Sequence, residues 1–318
     1  MSDAAPGLTF VTVTFRAEDA LMRLQARSMA RFLGDDVAAR IIVLDNGTPA
    51  LAARGRKALL AEFGPLASRV RIGRADELID MPSASGWTLQ QVLKLCVSSI
   101  VETPHYVLLD AKNHLVRSVA GSDFVSVDGR GRGGFHSYAD HPLRPRLRTT
   151  LQYLGLDDAL AEWYPPTSTP FVMQTAVARA VIDDVGGRSR RSFAEEFVAE
   201  GLSEFFLYSG WARLGDGSWS SMFDGEAIQS PTVWGGAADE DGVRAALSEV
   251  ARWDAPFFAV HRRALGRLDS SAITALAEFW MDRGLFADRR SVSRFVREAK
   301  RDRVLDALRS RLRRSSAT

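Results

Sequence analysis

Short apolar runs alternate along the chain with segments whose apolar residues recur every three or four positions. Residues 8–15 are rich in β-branched and aromatic side chains and predict a first strand. A helical pattern covers 17–33, and residues 41–44 and 70–72 predict two more strands with a helix at about 49–63 between them. Strands that alternate with helices in this order predict an α/β fold with a mostly parallel central sheet and right-handed crossovers.

The apolar run at 106–109 is followed at once by polar residues, and a predicted amphipathic helix at 86–101 precedes it. Such an unbroken run is typical of a strand that is buried on both faces of a parallel sheet. Ligands bind just beyond the carboxyl ends of such strands. The polar residues at that position are Asp110, Lys112, Asn113 and His114. The pattern therefore predicts a site here, with a solvated turn after a core strand as the alternative.

Downstream, two apolar segments at 124–127 and 134–138 flank a Gly-rich stretch and predict a hairpin. That stretch does not lead from a strand into a helix, so a phosphate-binding loop is not expected. The Pro-rich segment at 165–170 could line a cleft. Residues 257–260 predict a short strand, and further helices are predicted at 192–201, from 203, at 273–280 and at about 291–312.

The composition is that of an ordinary globular protein of 318 residues, with 46% hydrophobic residues and a net charge of +2. A single cysteine, Cys96, excludes an intramolecular disulfide and a Cys-rich metal site. Residues 1–7 do not resemble a secretory signal, and no run approaches the ~20 apolar residues of a membrane span. These features predict a cytoplasmic protein, and the length suits one large α/β domain or a core domain with an appendage.

Positive charge is concentrated near the C-terminus, where residues 289–314 contain eleven Lys or Arg and three acids. An imperfect apolar stripe runs among these arginines: Phe295, Val296, Ala299, Val304, Leu305, Leu308 and Leu312. One interpretation is docking on an anionic membrane at its inner face. The simpler interpretation, which we favour, is a helix that packs on the domain or on a second copy of the chain. Nucleic-acid binding is not expected, because no aromatic residues are interleaved with the basic ones.

Five short blocks, taken in order, resemble the nucleotide-sugar-dependent glycosyltransferases of the GT-A type, and most closely an uncharacterised bacterial group with similar blocks. They are residues 10–16 (FVTVTFR), 86–95 (GWTLQQVLKL), 108–113 (LLDAKN), 203–208 (SEFFLY) and 260–262 (VHR). The resemblance implies a GT-A-like, Rossmann-like sheet flanked by helices, and its extent implies a core domain at 8–265 and a helical, basic extension at 266–318. It also implies transfer of a sugar from a nucleotide-sugar donor to an acceptor hydroxyl, with cell-envelope or polysaccharide glycans as one acceptor class.

The resemblance places the nucleotide at the end of the first strand and in the loop after it. Thr14 and Arg16 stand there, and Asp45 ends the second strand, where such enzymes often hold the base or ribose. The alternatives are a surface salt bridge for Arg16 and a turn at Asp45-Asn46-Gly47. Further residues predicted to bind the donor are Trp87, Gln91, Lys94, Asn113 and Arg262. Trp87 and Trp211 could stack on a sugar, although aromatic residues at helical spacing more often belong to the core.

The hallmark of the GT-A type is Asp-x-Asp, whose carboxylates hold Mn²⁺ or Mg²⁺ on the donor diphosphate. The counterpart here is Asp110-Ala111-Lys112-Asn113, so the second acid is missing. One hypothesis is a metal site formed by Asp110 with His261 as a late ligand; a buried, hydrogen-bonded histidine is the alternative for His261. The other hypothesis is that Lys112, Lys94 or Arg262 neutralises the diphosphate directly. Both stay open.

Glu204 is the first candidate for a general base or acceptor-orienting acid, and it completes a predicted catalytic set with Asp110 and Lys112. Asp224 and Asp140 are weaker candidates. Glu204 stands at a helix start, where a carboxylate also stabilises the helix dipole, so a structural role competes. Two other functions remain: a non-catalytic relative that binds a nucleotide or glycan, and a metal-dependent phosphoryl-transfer or hydrolytic enzyme. The latter needs more carboxylates than Asp110 alone provides.

Overall fold

The computed structural model describes residues 7–315, with the backbone alone at Asp216 and residues 306–315. Leu308 and Leu312 of the predicted stripe, and residues 1–6, therefore lie outside the described side chains. The strands in the described range are β1 (Leu8–Thr14), β2 (Ala38–Asp45), β3 (Val70–Arg74), β4 (His105–Leu109), β5 (Asn113–Leu115), β6 (His136–Ser137), β7 (Trp163–Tyr164), β8 (Phe171–Gln174), β9 (Thr232–Val233) and β10 (Phe257–Val260). The α-helices are α1 (Asp19–Phe32), α2 (Ala53–Glu62), α3 (Gly86–Cys96), α4 (Arg144–Leu154), α5 (Thr175–Gly187), α6 (Phe193–Ala199), α7 (Glu204–Asp216), α8 (Glu240–Arg252), α9 (Arg262–Leu265), α10 (Ser270–Asp282) and α11 (Arg289–Ser315).

The central sheet has the strand order β3-β2-β1-β4-β8, in which the first four strands are parallel and β8 is antiparallel to β4. This confirms the predicted mostly parallel sheet. Successive strand residues belong to two different cores: Phe10 and Val107 pack with α1, whereas Val11 and Leu108 pack with α3 and α5. Because helices cover both faces, residues 41–44 of β2 and 106–109 of β4 are apolar at every position, and this is why they appear in the sequence as continuous runs.

A smaller sheet continues the fold beyond the central one, with the order β5-β10-β9. β5 is antiparallel to β10, and β9 is parallel to it. Its core is shared with the last helices, since the Trp280 indole of α10 donates a hydrogen bond of 2.9 Å to His114 in β5. Val292 and Phe295 of α11 are buried in the same core. The division at residue 265 and the docking of α11 on a membrane stay predictions.

The hairpin predicted at 124–138 forms only around its tip. Val125 and Gly131 form an isolated antiparallel bridge, and the Ser126 and Arg132 backbone amides donate to the carbonyls of Arg130 (2.8 Å) and Phe124 (2.7 Å). Beyond this tip the arms separate, and β6 pairs with β7. The second arm packs closely on other elements: a Cβ at Gly133 would lie 2.5 Å from the Phe223 ring.

The helices next to the sheet edge begin as the sequence predicts. Ser85 caps α3 by accepting a hydrogen bond from the Thr88 backbone. Ser192 and Glu195 form the predicted capping box at the start of α6, and α7 begins at Glu204. These starts orient α3 and α7 toward the carboxyl end of β4. No helix within residues 7–315 combines the length and apolar character needed to cross a membrane.

Candidate functional site

A large cleft of about 1850 Å³ lies beyond the carboxyl ends of β1, β2 and β4. Its floor contains the residues that follow β4, Asp110 and Lys112. Its walls come from many other parts of the chain, among them the loop after β1, the start of α3, residues 166–171, the start of α7, residues 227–236 around β9 and the loop that follows β10. The cleft is therefore assembled from segments that are far apart in the sequence.

Four charged side chains form a continuous network on the cleft floor. One oxygen of the Asp110 carboxylate accepts a hydrogen bond of 3.0 Å from Lys94 of α3, and the other oxygen is paired with Lys112. Lys94 also donates a hydrogen bond of 3.2 Å to Glu204 at the start of α7. The side chains of Lys94 and Glu204 are 9% and 5% exposed, whereas that of Asp110 is 36% exposed. Cations and anions thus alternate in the order Lys112, Asp110, Lys94, Glu204. Asp110 is the more exposed of the two acids.

This alternation sets the protonation of each group. Burial alone would raise the pKa of Asp110, but the Lys112 and Lys94 ammonium groups hold it well below its usual range. Burial alone would lower the pKa of Lys94, yet Asp110 and Glu204 raise it above the usual value. Burial raises the pKa of Glu204, with Lys94 opposing the shift. Lys94 and Asp110 are therefore charged at neutral pH.

Asn113 is buried and holds the floor in place. Its side-chain oxygen accepts hydrogen bonds from the Asp110 backbone (2.9 Å) and from the Thr169 hydroxyl (2.8 Å). Its amide nitrogen donates to the Thr169 carbonyl (3.1 Å) and to the Ser230 hydroxyl (3.0 Å). With its amide committed to these partners, Asn113 does not line the cleft, and its contribution to donor binding stays a prediction.

The donor set on the floor does not fit Mn²⁺ or Mg²⁺. Both oxygens of Asp110 are occupied by ammonium groups, and no three His, Cys, Asp or Glu side chains among those described form a group that could hold a metal ion. His261 lines the cleft, but its Nδ1 accepts a hydrogen bond of 3.3 Å from the Arg263 backbone. Burial, together with Lys112 and Arg262, lowers the pKa of His261 to about 4. The ammonium groups of Lys94 and Lys112 therefore occupy the positions that a metal ion bound to Asp110 would need.

The residues predicted at the ends of β1 and β2 do not line the cleft, although their neighbours Val13, Phe15 and Asn46 do. Thr14 is the last residue of β1 and is buried, and Arg16 begins the short helical turn that follows. Asp45 accepts hydrogen bonds from the backbone of Gly47 (2.9 Å) and Leu51 (2.6 Å), which matches the alternative of a turn. Donor binding by these three residues stays a prediction.

Three other predicted donor-binding residues line the cleft. Trp87, on the first turn of α3, is 48% exposed, and the guanidinium of Arg146 stacks over its ring at 4.6 Å. Gln91, one turn further along α3, is buried, and its side-chain oxygen has no hydrogen-bond partner among the described residues. Arg262, at the start of α9, lies over the Phe15 ring at 5.2 Å. This contact joins the loop after β10 to the loop after β1 across the cleft.

The weaker candidates lie elsewhere. Trp211 donates a hydrogen bond of 3.1 Å to Asp184, and Asp224 is paired with Arg132. Neither of them lines the cleft, and Asp140 does not line it either. These residues therefore take no direct part in the site.

Two residues of the cleft were missed by the sequence reasoning. Glu18 is partly buried in the short helical turn after β1, and burial, followed by the charge of Asp110, raises its pKa to about 7 against the opposing Arg262 and Lys112. No hydrogen bond or ion pair engages its carboxylate among the described residues. Trp234 follows β9 and is 56% exposed, with the Lys112 ammonium 5.8 Å from its ring centre. In the sequence Trp234 stands out only as part of the short apolar pair Val233-Trp234, and Glu18 gives no signal.

Comparison with known proteins gives a family and a fold. The model of DUF6492, described as a family of unknown function, matches residues 58–238. No curated protein matches the chain in sequence. Among solved structures, an active-site mutant of LgtC has a TM-score of 0.50 at 12% identity and covers 86% of this chain and 96% of its own. The galactosyltransferase LgtC in complex with donor and acceptor sugar analogues has a TM-score of 0.40 at 13% identity (64% and 70% covered). The apo form of the glycosyltransferase GlyE of Streptococcus pneumoniae TIGR4 has 0.43 at 9% (92% and 62%). The similarity to LgtC shows that the fold is that of the GT-A glycosyltransferases.

Proposed function

Since the chain belongs to DUF6492, a family of unknown function, we propose its activity from the fold and the site: it is a glycosyltransferase that moves a sugar from a nucleotide-sugar donor to an acceptor hydroxyl. The observation that carries this proposal is the cleft at the carboxyl ends of the parallel strands, with Asp110 and Lys112 on its floor and Arg262 on its wall. A fold alone does not fix a reaction, so the shared fold supports the proposal by analogy and the charged cleft supports it by chemistry.

The donor diphosphate is bound by fixed cations rather than by a metal ion. Lys112 occupies the position of the second carboxylate in Asp-x-Asp. Its ammonium group is fixed on the cleft floor by an ion pair with Asp110. When the bond between the sugar and the diphosphate breaks, negative charge develops on the departing oxygen. A preorganised ammonium or guanidinium group stabilises that charge as a bound metal would. Lys112 and Arg262 are the groups that we assign to this role.

Glu18 is the residue that we assign to proton transfer. Asp110 and Glu204 are each engaged by lysine, whereas Glu18 lines the cleft with its carboxylate unengaged by any described residue. A pKa of about 7 suits a group that takes a proton from an acceptor hydroxyl near neutral pH. Glu204, the base predicted from the sequence, becomes a positioning residue that fixes Lys94 and, through it, Asp110.

The first experiment is a thermal-shift titration with UDP, GDP, CDP and dTDP, each in the presence of EDTA or of Mn²⁺. A ligand at about 100 times its dissociation constant stabilises the folded state by about 2.7 kcal/mol. We expect one nucleotide to stabilise the protein equally well in EDTA. Lys112→Ala should abolish this effect, whereas Lys57→Ala on the exposed face of α2 should preserve it. A shift that requires Mn²⁺ would contradict the proposed role of Lys112.

The second experiment tests for turnover. The corresponding nucleotide sugars are incubated with a panel of glycan acceptors, and the released nucleoside diphosphate and the glycosylated product are measured. Release that depends on the acceptor supports a transferase. Nucleotide binding without release for any acceptor would instead identify a non-catalytic nucleotide-binding relative.

A further inference from the structure

The cleft extends past Lys112 to a wall that the donor site does not use. β9 and β10 are parallel, with Val233 opposite Val260, so the residues that follow them stand side by side. The rings of Trp234 and His261 are accordingly 5.4 Å apart. The donor nucleotide is expected on the opposite side of Asp110, near Val13, Phe15 and Asn46 of the β1–β2 edge. Lys112 lies between the two regions, with Asp110 on one side and the Trp234 ring on the other.

Two arginines complete this wall next to Trp234. Gly235 packs against Arg263, since a Cβ added at Gly235 would lie 3.2 Å from the Arg263 Cβ. The guanidinium of Arg267, four residues further on, donates a hydrogen bond of 3.1 Å to the Gly235 carbonyl. Both arginines line the cleft and are exposed. Among the described side chains neither forms an ion pair with a carboxylate, and Glu249 of α8, which also lines the cleft, is paired with neither.

The chemistry of this wall specifies its ligand. An exposed indole in a polar cleft provides a flat apolar surface on which the C–H face of a sugar ring can stack. An arginine fork matches a carboxylate or a phosphate group with two parallel hydrogen bonds. Lys112 and Arg262 add positive charge nearby, and His261 is neutral at pH 7 because its pKa is about 4. A ligand that contacts both the indole and the arginines of this wall needs both a sugar ring and a negative charge.

We infer that Trp234, Arg263 and Arg267 form an acceptor subsite for a saccharide that carries a carboxylate or phosphate group. That this saccharide is the acceptor rests on the proposed glycosyl transfer. The binding of the saccharide does not depend on that proposal. The sugar ring stacks on Trp234, and its anionic group is bound by the two arginines. The hydroxyl to be glycosylated then faces Asp110 and the donor sugar.

The test measures saccharide binding to the full chain by isothermal titration, without donor and without turnover. The probes are matched methyl glycosides: a neutral glucoside, the glucuronide and the glucoside 6-phosphate. Charge-assisted hydrogen bonds favour the two anionic probes by about tenfold or more over the neutral one. Arg263→Ala combined with Arg267→Ala should remove this preference, whereas Arg290→Ala combined with Arg297→Ala removes the same charge from exposed positions of α11 and should leave it unchanged. Trp234→Ala should weaken binding of all three probes.

The outcomes separate this inference from the proposed function. Equal binding of neutral and anionic probes, or a preference that survives the loss of Arg263 and Arg267, would overturn the subsite. A double variant that loses affinity for the nucleoside diphosphate but keeps its saccharide preference would assign the arginines to the donor and also overturn it. A retained anionic preference in a protein that transfers no sugar would leave the subsite in place and remove the transferase proposal.

Discussion

Replacing Lys94 with methionine tests the charged network on which the site depends. Lys94 is nearly buried and bridges Asp110 and Glu204 at 3.0 and 3.2 Å. Methionine fills a similar volume but leaves Glu204, whose side chain is 5% exposed, without its counter-ion. Removing one partner of a buried ion pair costs about 3–5 kcal/mol, because the other charge stays buried and uncompensated. We expect Lys94→Met to lower the free energy of unfolding by about that amount, as measured by urea denaturation.

The loss should depend on pH in a defined direction. The pKa of Glu204 is raised in the folded state, so its ionisation above the unfolded value opposes folding, and this opposition grows when Lys94 is absent. The pKa of Asp110 is lowered in the folded state, so it stabilises the fold above its unfolded value. The variant loses part of that contribution. The Glu204 effect makes the difference between wild type and variant larger at about pH 8 than at about pH 5, whereas the Asp110 contribution is already fully present at pH 5 and does not change between the two pH values.

Two further variants test whether the uncompensated Glu204 charge causes the loss of stability. Adding Glu204→Gln to Lys94→Met removes the uncompensated charge and should recover part of the lost stability. Lys57→Met, at an exposed position of α2, should change stability by less than about 0.5 kcal/mol. A loss from Lys94→Met below about 1 kcal/mol, or an equal loss at both pH values, would show that the network does not stabilise the fold as its geometry indicates.

Three other variants and probes follow from single groups. Glu18→Gln should lower kcat/KM for transfer about 10²-fold or more and abolish its rise as pH increases through about 7, while nucleotide affinity is unchanged; an unaltered pH profile would exclude Glu18 as the base. Trp280→Phe removes the donor to the buried His114 and should cost about 1–3 kcal/mol in urea denaturation, since the ring nitrogen is left unpaired; a neutral result would show that water replaces the indole. Burial raises the pKa of Cys96 to about 12, so a thiol reagent at neutral pH should label the protein only after denaturant is added, and rapid labelling of the native state would contradict the buried position.

The sheet could be predicted because strands that are buried on both faces appear in the sequence as continuous apolar runs. Residues 106–109 are apolar at every position since helices cover both faces of β4. The same uniformity conceals which residues at a strand end point toward the site. Thr14 and Arg16 were predicted from their place at the end of the first strand, whereas their neighbours Val13 and Phe15 line the cleft.

The site itself was only partly predictable, because its decisive contacts join distant segments. The sequence identified Asp110, Lys112 and Lys94 through their positions at the end of β4 and on the helix before it. It could not show that Lys94 also binds Glu204, which lies 110 residues further on. The role of Glu18 likewise depends on its burial and on facing Asp110. Both are properties of the folded chain rather than of any local pattern.

The small sheet β5-β10-β9 has a consequence for how the protein is made. β5 leaves the ribosome soon after β4, but its partner β10 begins at Phe257, which pairs with Leu115. At typical rates of about 5–20 residues per second, β5 waits on the order of 10 s for that partner. During this interval the nascent chain has an unpaired strand edge and an incomplete core next to a central sheet that can already form. The cleft wall that carries His261 and Arg262 therefore forms only after β10 has been made, and a growing chain does not have a complete cleft before that point.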